Sequence, residues 1–461
     1  MRSIWAVAKN TFATAVRMKI AIVFLLLLII LLPVMSVIMT GDGTAKGKLQ
    51  SFVSYGLSLT AFLLSLLTII VSTHTLTSDI KHKQIYMVLT KPIRRFELLC
   101  GKFLGVLMLN LILLLLFSAV IFILTLQIPR IANADATELQ ELDRQFFTAR
   151  ASLPMTIDRN LVKQEALQAY EKMKKADQLP EGKTDRQILD ELIIQKELQT
   201  RATVPGGELV WEFENINTKS LGPEQNIFIR FKYDVSVKPP DKKITGVWWI
   251  GDYRQIKYGN SDGNSKTPGY VVTRRDTIST IHEIEIPADV VAQDGYLAVV
   301  FYNEPVNNTI VIFPIEDGLE VLYKAGTFTA NYIKTVILIL ARLIFLAVLG
   351  VSVSTWLSFP VAILVCLSIF FTGLINSFIV GSFDYLSQTM TIFYSFTIKP
   401  IIWLLPKFDA DLSVTKYMVS SEILNVIFLV SVVGILMIKA IIAALLGILI
   451  FSRREIARIT V

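Results

Sequence analysis

Few side chains in this sequence are placed to do chemistry. The three histidines, His74, His82 and His282, are scattered, and the two cysteines, Cys100 and Cys366, stand far apart and outside the polar middle of the chain. A zinc site needs ligands grouped at short spacing, so no metal is expected, and two lone cysteines build no disulfide framework. Glu283 and Glu285 fall on one face of an expected strand, as paired hydrolase carboxylates would, but exposed strand acids give the same spacing. No Gly-x4-Gly-Lys-Ser/Thr loop occurs, and Gly101-Lys102 lacks a glycine loop before it. The sequence thus predicts no catalytic residue, no metal and no cofactor held by this chain.

Two charges interrupt apolar stretches, at a cost of ~2.5–3.5 kcal/mol each on insertion scales. Lys439 sits near the middle of the last stretch and Arg342 a turn or two inside the fourth. They could line a transport path or a dimer interface and attract an anionic head group. Otherwise Arg342 snorkels to the outer surface and Lys439 pairs inside the bundle with a carbonyl or carboxylate. Trp248, Trp249 and Tyr302 could stack sugars as an outer ligand contact, or pack in a core.

The stretches that must position these residues dominate the composition. Of 461 residues, 53% are hydrophobic and 18% charged, and mean hydropathy is +0.56. An ordinary soluble domain is nearer a quarter charged. Apolar runs near 20–39, 52–73, 103–126, 336–358, 360–381 and 424–451 reach the ~20 residues that a spanning helix needs. The net charge of +7 does not signal nucleic acid, because residues 127–331 hold 24 Lys/Arg against 30 Asp/Glu. The excess lies in short flanks: Arg2, Lys9, Arg17 and Lys19; Lys81, Lys83, Lys91, Arg94, Arg95 and Lys102; and Arg453, Arg454 and Arg458. With six spans, both termini and the 74–102 loop are cytoplasmic and 127–331 lies outside. Ile4, Trp5, Ala8, Phe12, Ala15 and Val16 recur at helical spacing, which predicts an amphipathic surface helix before the first span.

The expected fold class is therefore an α-helical membrane protein with six transmembrane helices and an inserted extracytoplasmic α+β domain. The organisation is 1–126 (amphipathic helix and spans one to three), 127–203 (a helical hairpin), 204–331 (a β-sandwich of jelly-roll type) and 332–461 (spans four to six). The polar 382–420 segment is expected as short re-entrant or surface helices. The loop itself predicts two amphipathic turns broken at Lys91-Pro92, apolar on one side and basic on the other. Such a shape suits a groove in a partner protein or the lipid interface.

This loop resembles the small-x-Pro-Ile/Val-x-Arg-x-Glu-x-x-x-Gly-Lys signature between the second and third spans of ABC type-2 transporter permeases. The matching residues are Pro92, Ile93, Arg95, Glu97, Gly101 and Lys102, with Asp79 in the place of an acidic residue ahead of them. Leu404-Leu-Pro-Lys-Phe-Asp409 is similar to that family's hydrophobic-Pro-x-Phe segment before the last span, and Phe451-Ser-Arg-Arg-Glu closes the span as in many members. The resemblance covers 1–126 and 332–461, and the large outer domain departs from it. It implies the permease subunit of an exporter in the cell membrane, the inner membrane of a prokaryote. Two permeases would pair, each docking its loop on a separate ATP-binding-cassette subunit that holds ATP and magnesium. Leu89, Arg94 and Phe96 would join the matching residues in that coupling loop. Membrane lipids and an envelope partner at the outer domain complete the expected contacts. The alternative is a non-transporting scaffold that presents an outer ligand-binding β-domain for envelope assembly, secretion or motility.

Overall fold

The computed structural model describes residues 2–41, 43–82, 94–131, 135–176, 179–180, 184–216, 225–257, 267–315, 317–382, 388–409, 417–418 and 422–453. Helix α1 (Arg2–Val16) ends before Met18, whose extended backbone separates it from α2 (Lys19–Ile38). Thr44 caps α3 (Ala45–Lys81) by accepting from the Gly47 N–H. Then come α4 (Arg95–Ile131), α5 (Ala136–Gln145) and β1 (Thr148–Pro154). Asp158 caps α6 (Arg159–Lys175), and a Thr184/Gln187 capping box opens α7 (Asp185–Gln199). Strands β2 (Ala202–Thr203), β3 (Glu208–Phe213), β4 (Asn226–Phe231), β5 (Asp234–Val235) and β6 (Lys243–Gly251) lead to the one-turn α8 (Arg254–Lys257). After it run β7 (Tyr270–Thr277), β8 (His282–Pro287), β9 (Leu297–Asn303), β10 (Val311–Ile312) and β11 (Leu319–Thr327). The chain closes with α9 (Phe328–Val353), α10 (Phe359–Leu374), α11 (Asn376–Ser382), α12 (Gln388–Leu404) and α13 (Val426–Arg453). Two compact units result: Met1–Ala149 with Gly326–Val461, and Arg150–Ala325.

In the helical unit, α2, α3, α4, α9 and α13 are each long and apolar enough to cross a membrane. The fifth expected span, 360–381, is interrupted. Its first part, α10, has 16 residues and ends at Ile375 (φ −114°, ψ 14°). At 1.5 Å per residue that is ~24 Å, short of a ~30 Å hydrocarbon core. The break coincides with a close approach: the Phe408 N–H donates to the Gly373 carbonyl at 2.8 Å, and a Cβ at Gly373 would lie 2.7 Å from the Phe408 ring.

Helices α3 and α9 form the centre, with 72% of their apolar windows buried, against 22% and 17% for α2 and α13. The outward apolar faces of α2 and α13 therefore require lipid or another apolar surface. Helix α3 buries polar residues because their hydroxyls turn back onto its own carbonyls. Ser65, Thr68, Thr73 and Thr77 each donate four residues back, at 2.6–2.7 Å.

In the second unit the sheets run β1-β11-β4-β8 and β3-β9-β6-β7, with a small third sheet β2-β10-β5. Alternation builds the core: Leu209, Trp211 and Phe213 of β3 are buried, while the intervening Glu208, Val210 and Glu212 are exposed. Residues of both four-stranded sheets meet in one apolar cluster. At its centre Trp248 lies 4.3 Å from the Phe231 ring and 4.8 Å from that of Phe301, centroid to centroid. Strand β1 interrupts the helical reading of 136–200; Thr148-Ala-Arg-Ala-Ser-Leu-Pro has little strand propensity, and only the neighbouring β11 makes it one.

The Trp248→Ala variant should lose ~3–5 kcal/mol from this core. Urea-dependent proteolysis of the full-length protein should then cut within 150–325 at lower denaturant, leaving cleavage of the helical unit unchanged.

Candidate functional site

The residues singled out in the loop converge on one end of the helical unit, the end carrying α1, the flanks of segment 83–93 and the last turn of α13. Leu89, Pro92 and Ile93 lie outside the described residues. The others sit on α4, or just before it, and at the end of α3. Glu97 and Gly101, four apart, face α1; Arg95 and Lys102, seven apart, share the opposite side of α4.

Contact with α1 depends on small residues. A Cβ at Gly101 would come within 2.6 Å of the Val7 Cβ, and one at Gly105 within 2.6 Å of the Ala8 carbonyl oxygen. Ala8, Thr11 and Ala15 supply the matching stripe and are the buried residues of α1. The larger members of the expected amphipathic stripe point elsewhere: Trp5 is 59% exposed and Val16 44%. Glu97 fastens the crossing, its Oε2 accepting from Ser3 Oγ at 3.1 Å and from the Arg94 N–H at 3.2 Å.

On the opposite side, Lys102 is 5% exposed. Its Nζ lies 2.5 Å from Asp79 Oδ2 and donates to the Thr75 carbonyl at 3.1 Å, so α3 and α4 are bolted where the loop leaves them. Losing either partner of a buried pair costs ~3–5 kcal/mol. Arg95 reaches the C-terminus of α13, donating from one terminal nitrogen (Nη1) to the Phe451 and Ser452 carbonyls at 2.9 and 2.8 Å. Those carbonyls belong to the last described turn of α13, toward the negative end of the helix dipole. Four helices are thus tied together beneath the loop. The side chains of Arg94 and Phe96 are exposed, Phe96 by 40%, and only the Arg94 backbone N–H enters the clasp.

The two charges inside apolar helices perform the same task elsewhere. Lys439 of α13 donates to the Trp403 and Leu405 carbonyls at 2.8 and 2.7 Å, which close α12. Arg342 of α9 donates to the Phe408 carbonyl at 3.0 Å and stands over the Phe408 ring. Asn331 and Lys334, also on α9, hold the carbonyls of Tyr417, Glu422 and Leu424. The described backbone between α12 and α13 is held by these four polar side chains.

In the second unit, Trp248 is 1% exposed and belongs to the core, out of reach of a ligand. Trp249 and Tyr302 lie half-buried on the other face of the same sheet, where Trp249 packs on Tyr253. Glu283 is engaged by Arg230 at 2.9 Å and Arg150 at 3.6 Å, and Glu285 by Asn226 at 2.6 Å, so the two acids act separately. Burial pushes the Arg150 guanidinium below its usual value while Glu283 pulls it back; at Arg230 burial lowers but Glu283 and Glu320 outweigh it. No group of three or more His, Cys, Asp or Glu that could hold a metal occurs among the described residues.

Sequence reasoning missed Ser3, Gly105 and Thr75. The Gly101-x-x-x-Gly105 spacing was the available signal for the α1 crossing; Thr75 contributes only a carbonyl and carries no side-chain signal.

Residues 5–148 match the family described as ABC-2 family transporter protein, a stretch that contains most of α1, all of α2 to α5 and the whole loop. This part of the chain is similar to ABC-2 type permeases, and the protein is a multi-pass membrane protein. No curated protein and no solved structure matches the chain.

Two variants separate packing from transport. Gly105→Val should part α1 from α4 and lower the thermal midpoint in detergent by several degrees, an over-packing cost of ~1–3 kcal/mol. Lys439→Met should leave two carbonyls without a donor, at ~1–3 kcal/mol each, and lower the midpoint likewise. An unchanged midpoint for Lys439→Met would return that residue to the transport path.

Proposed function

We propose that this chain is an ABC-2 type permease, the membrane subunit of an ATP-driven exporter, moved from the cytosol through segment 83–93. The family match over residues 5–148 carries this reading, because it covers the loop and the helices α3 and α4 that flank it. The loop, with the exposed Arg94 and Phe96 and with Leu89, Pro92 and Ile93 of its sequence, docks a separate ATP-binding-cassette subunit that supplies ATP and magnesium. Arg95, Glu97, Gly101, Lys102 and Asp79 serve behind it. They join the flanks of the loop to α1, α3 and α13, so a push on the loop moves a rigid base rather than a flexible strap.

Six crossings follow if α10 and α11 together count as the fifth. Both termini and the loop then lie in the cytosol, and Arg150–Ala325 lies outside a prokaryotic cell membrane. Without the three short strands, the sheet orders of that unit read as the interleaved order of a jelly-roll sandwich. The apolar outward faces of α2 and α13 fit a second permease copy. A second reading, a scaffold displaying the outer unit to an envelope partner, is favoured by that unit's own core. An ATPase-dead partner subunit distinguishes them: it abolishes the exporter's function and spares the scaffold's.

Co-purification and ATPase assays with the cognate subunit test the division of labour. Arg94→Glu with Phe96→Ala should weaken association about 30-fold, the loss of an interface anchor worth ~2 kcal/mol. Arg95→Ala should leave association intact while transport per ATP hydrolysed falls. Dissociation by Arg95→Ala alone would place that residue in the interface.

A further inference from the structure

One turn along from the Arg95 bonds begins an apolar cleft of about 300 Å³ that none of these roles explains. One wall is α4, with Leu99, Cys100 and Phe103; the other is α13, with Ala440 and Ala444; α9 forms the floor. Small side chains make the hollow. Gly447 lets α13 sit directly on α9, where an added Cβ would lie 2.7 Å from the Ser352 Cβ. Arg95 ties α4 to the last described turn of α13 at one end of it. Of the side chains lining the cleft, only Cys100 and Ser352 carry a hydrogen-bond donor.

The surroundings and the charges at that end identify the occupant. Helices α4, α9 and α13 are all long and apolar enough to cross a membrane, so the medium around the cleft is hydrocarbon. Ile441 of its rim is 58% exposed, so the cleft opens onto that medium. An apolar hollow holds no ordered water, and left empty it forfeits the dispersion contacts of its walls. A helix of a second copy, ~10 Å across, is too wide for a hollow of this volume whose walls Arg95 draws together; a single hydrocarbon chain is not. At the same end Arg453 is exposed, and with Arg95 it supplies positive charge complementary to an anionic headgroup.

We propose that this cleft binds one acyl chain of an anionic phospholipid, with the phosphate headgroup beside Arg95 and Arg453. The site requires a membrane-embedded protein but no ATP-binding subunit, so it stands or falls independently of the exporter reading.

Photo-crosslinking of the full-length protein in bilayers tests it, with phosphatidylglycerol and phosphatidylcholine each carrying a diazirine in one acyl chain. Phosphatidylglycerol should label the α4 and α13 peptides of the cleft in preference to phosphatidylcholine. Arg453→Gln should cut that preference about fivefold, the effect of one basic residue near an anionic headgroup. Ala444→Trp, at a half-buried position where the ring fills the cleft, should remove most of that labelling and leave labelling of the lipid-facing α2 unchanged. Cleft labelling that survives Ala444→Trp, that is equal for the two lipids, or whose preference ignores Arg453→Gln would overturn the proposal. So would an oxidative disulfide dimer through Cys100, which would put a second copy in the cleft; Cys366 is fully buried and out of reach of such a bond.

Discussion

A backbone carbonyl away from water must find a donor, and in this protein that requirement decides what the basic residues of the helical unit do. Arg95 serves the end of α13, Lys439 the end of α12, Lys102 a carbonyl of α3, and Lys334 and Arg342 the irregular stretch before α13. Each places positive charge where helix dipoles or free carbonyls put negative charge. A lysine or arginine in an apolar stretch is expensive if it is alone. Here none is alone, and the same bonds that lower that cost fix which helix ends move together.

The clasp under the loop follows from this rule combined with small residues. Gly101 and Gly105 let α1 approach α4 until backbone touches side chain, and Glu97 then reaches Ser3. The Lys102–Asp79 pair closes the base of the loop, and Arg95 adds α13. The result is a junction of four helices at the flanks of segment 83–93. The second unit is stabilised differently, by an aromatic cluster around Trp248 between two sheets, and holds its charges in a lattice of Arg150, Arg230, Glu283 and Glu320.

Much of this was legible in the sequence because it follows from hydropathy and period. The apolar runs at 20–39 and 424–451 correspond closely to α2 and α13, and the run at 52–73 is the apolar middle of the longer α3. The short β-rich runs Leu209–Phe213 and Leu297–Tyr302 are present as strands β3 and β9. What sequence left hidden depends on distant partners. Strand β1 exists because β11 lies beside it, and the fifth apolar run is broken because Phe408 docks on Gly373. Family likeness located Arg95, Glu97 and Lys102 but not their neighbours. Their contacts with Phe451, Ser3 and Thr75 join positions up to 357 residues apart, which no local pattern encodes.

The most direct test is a distance measured during turnover. Spin labels at His82 and Ser452, both exposed, would sit on either side of the Arg95 bond in the complex with the ATP-binding subunit. With ATP, both positions should move as one body and keep a single narrow distance, and Arg95→Ala should split or broaden it. A distance that changes freely with ATP in the unaltered protein, or that ignores loss of Arg95, would contradict the rigid clasp.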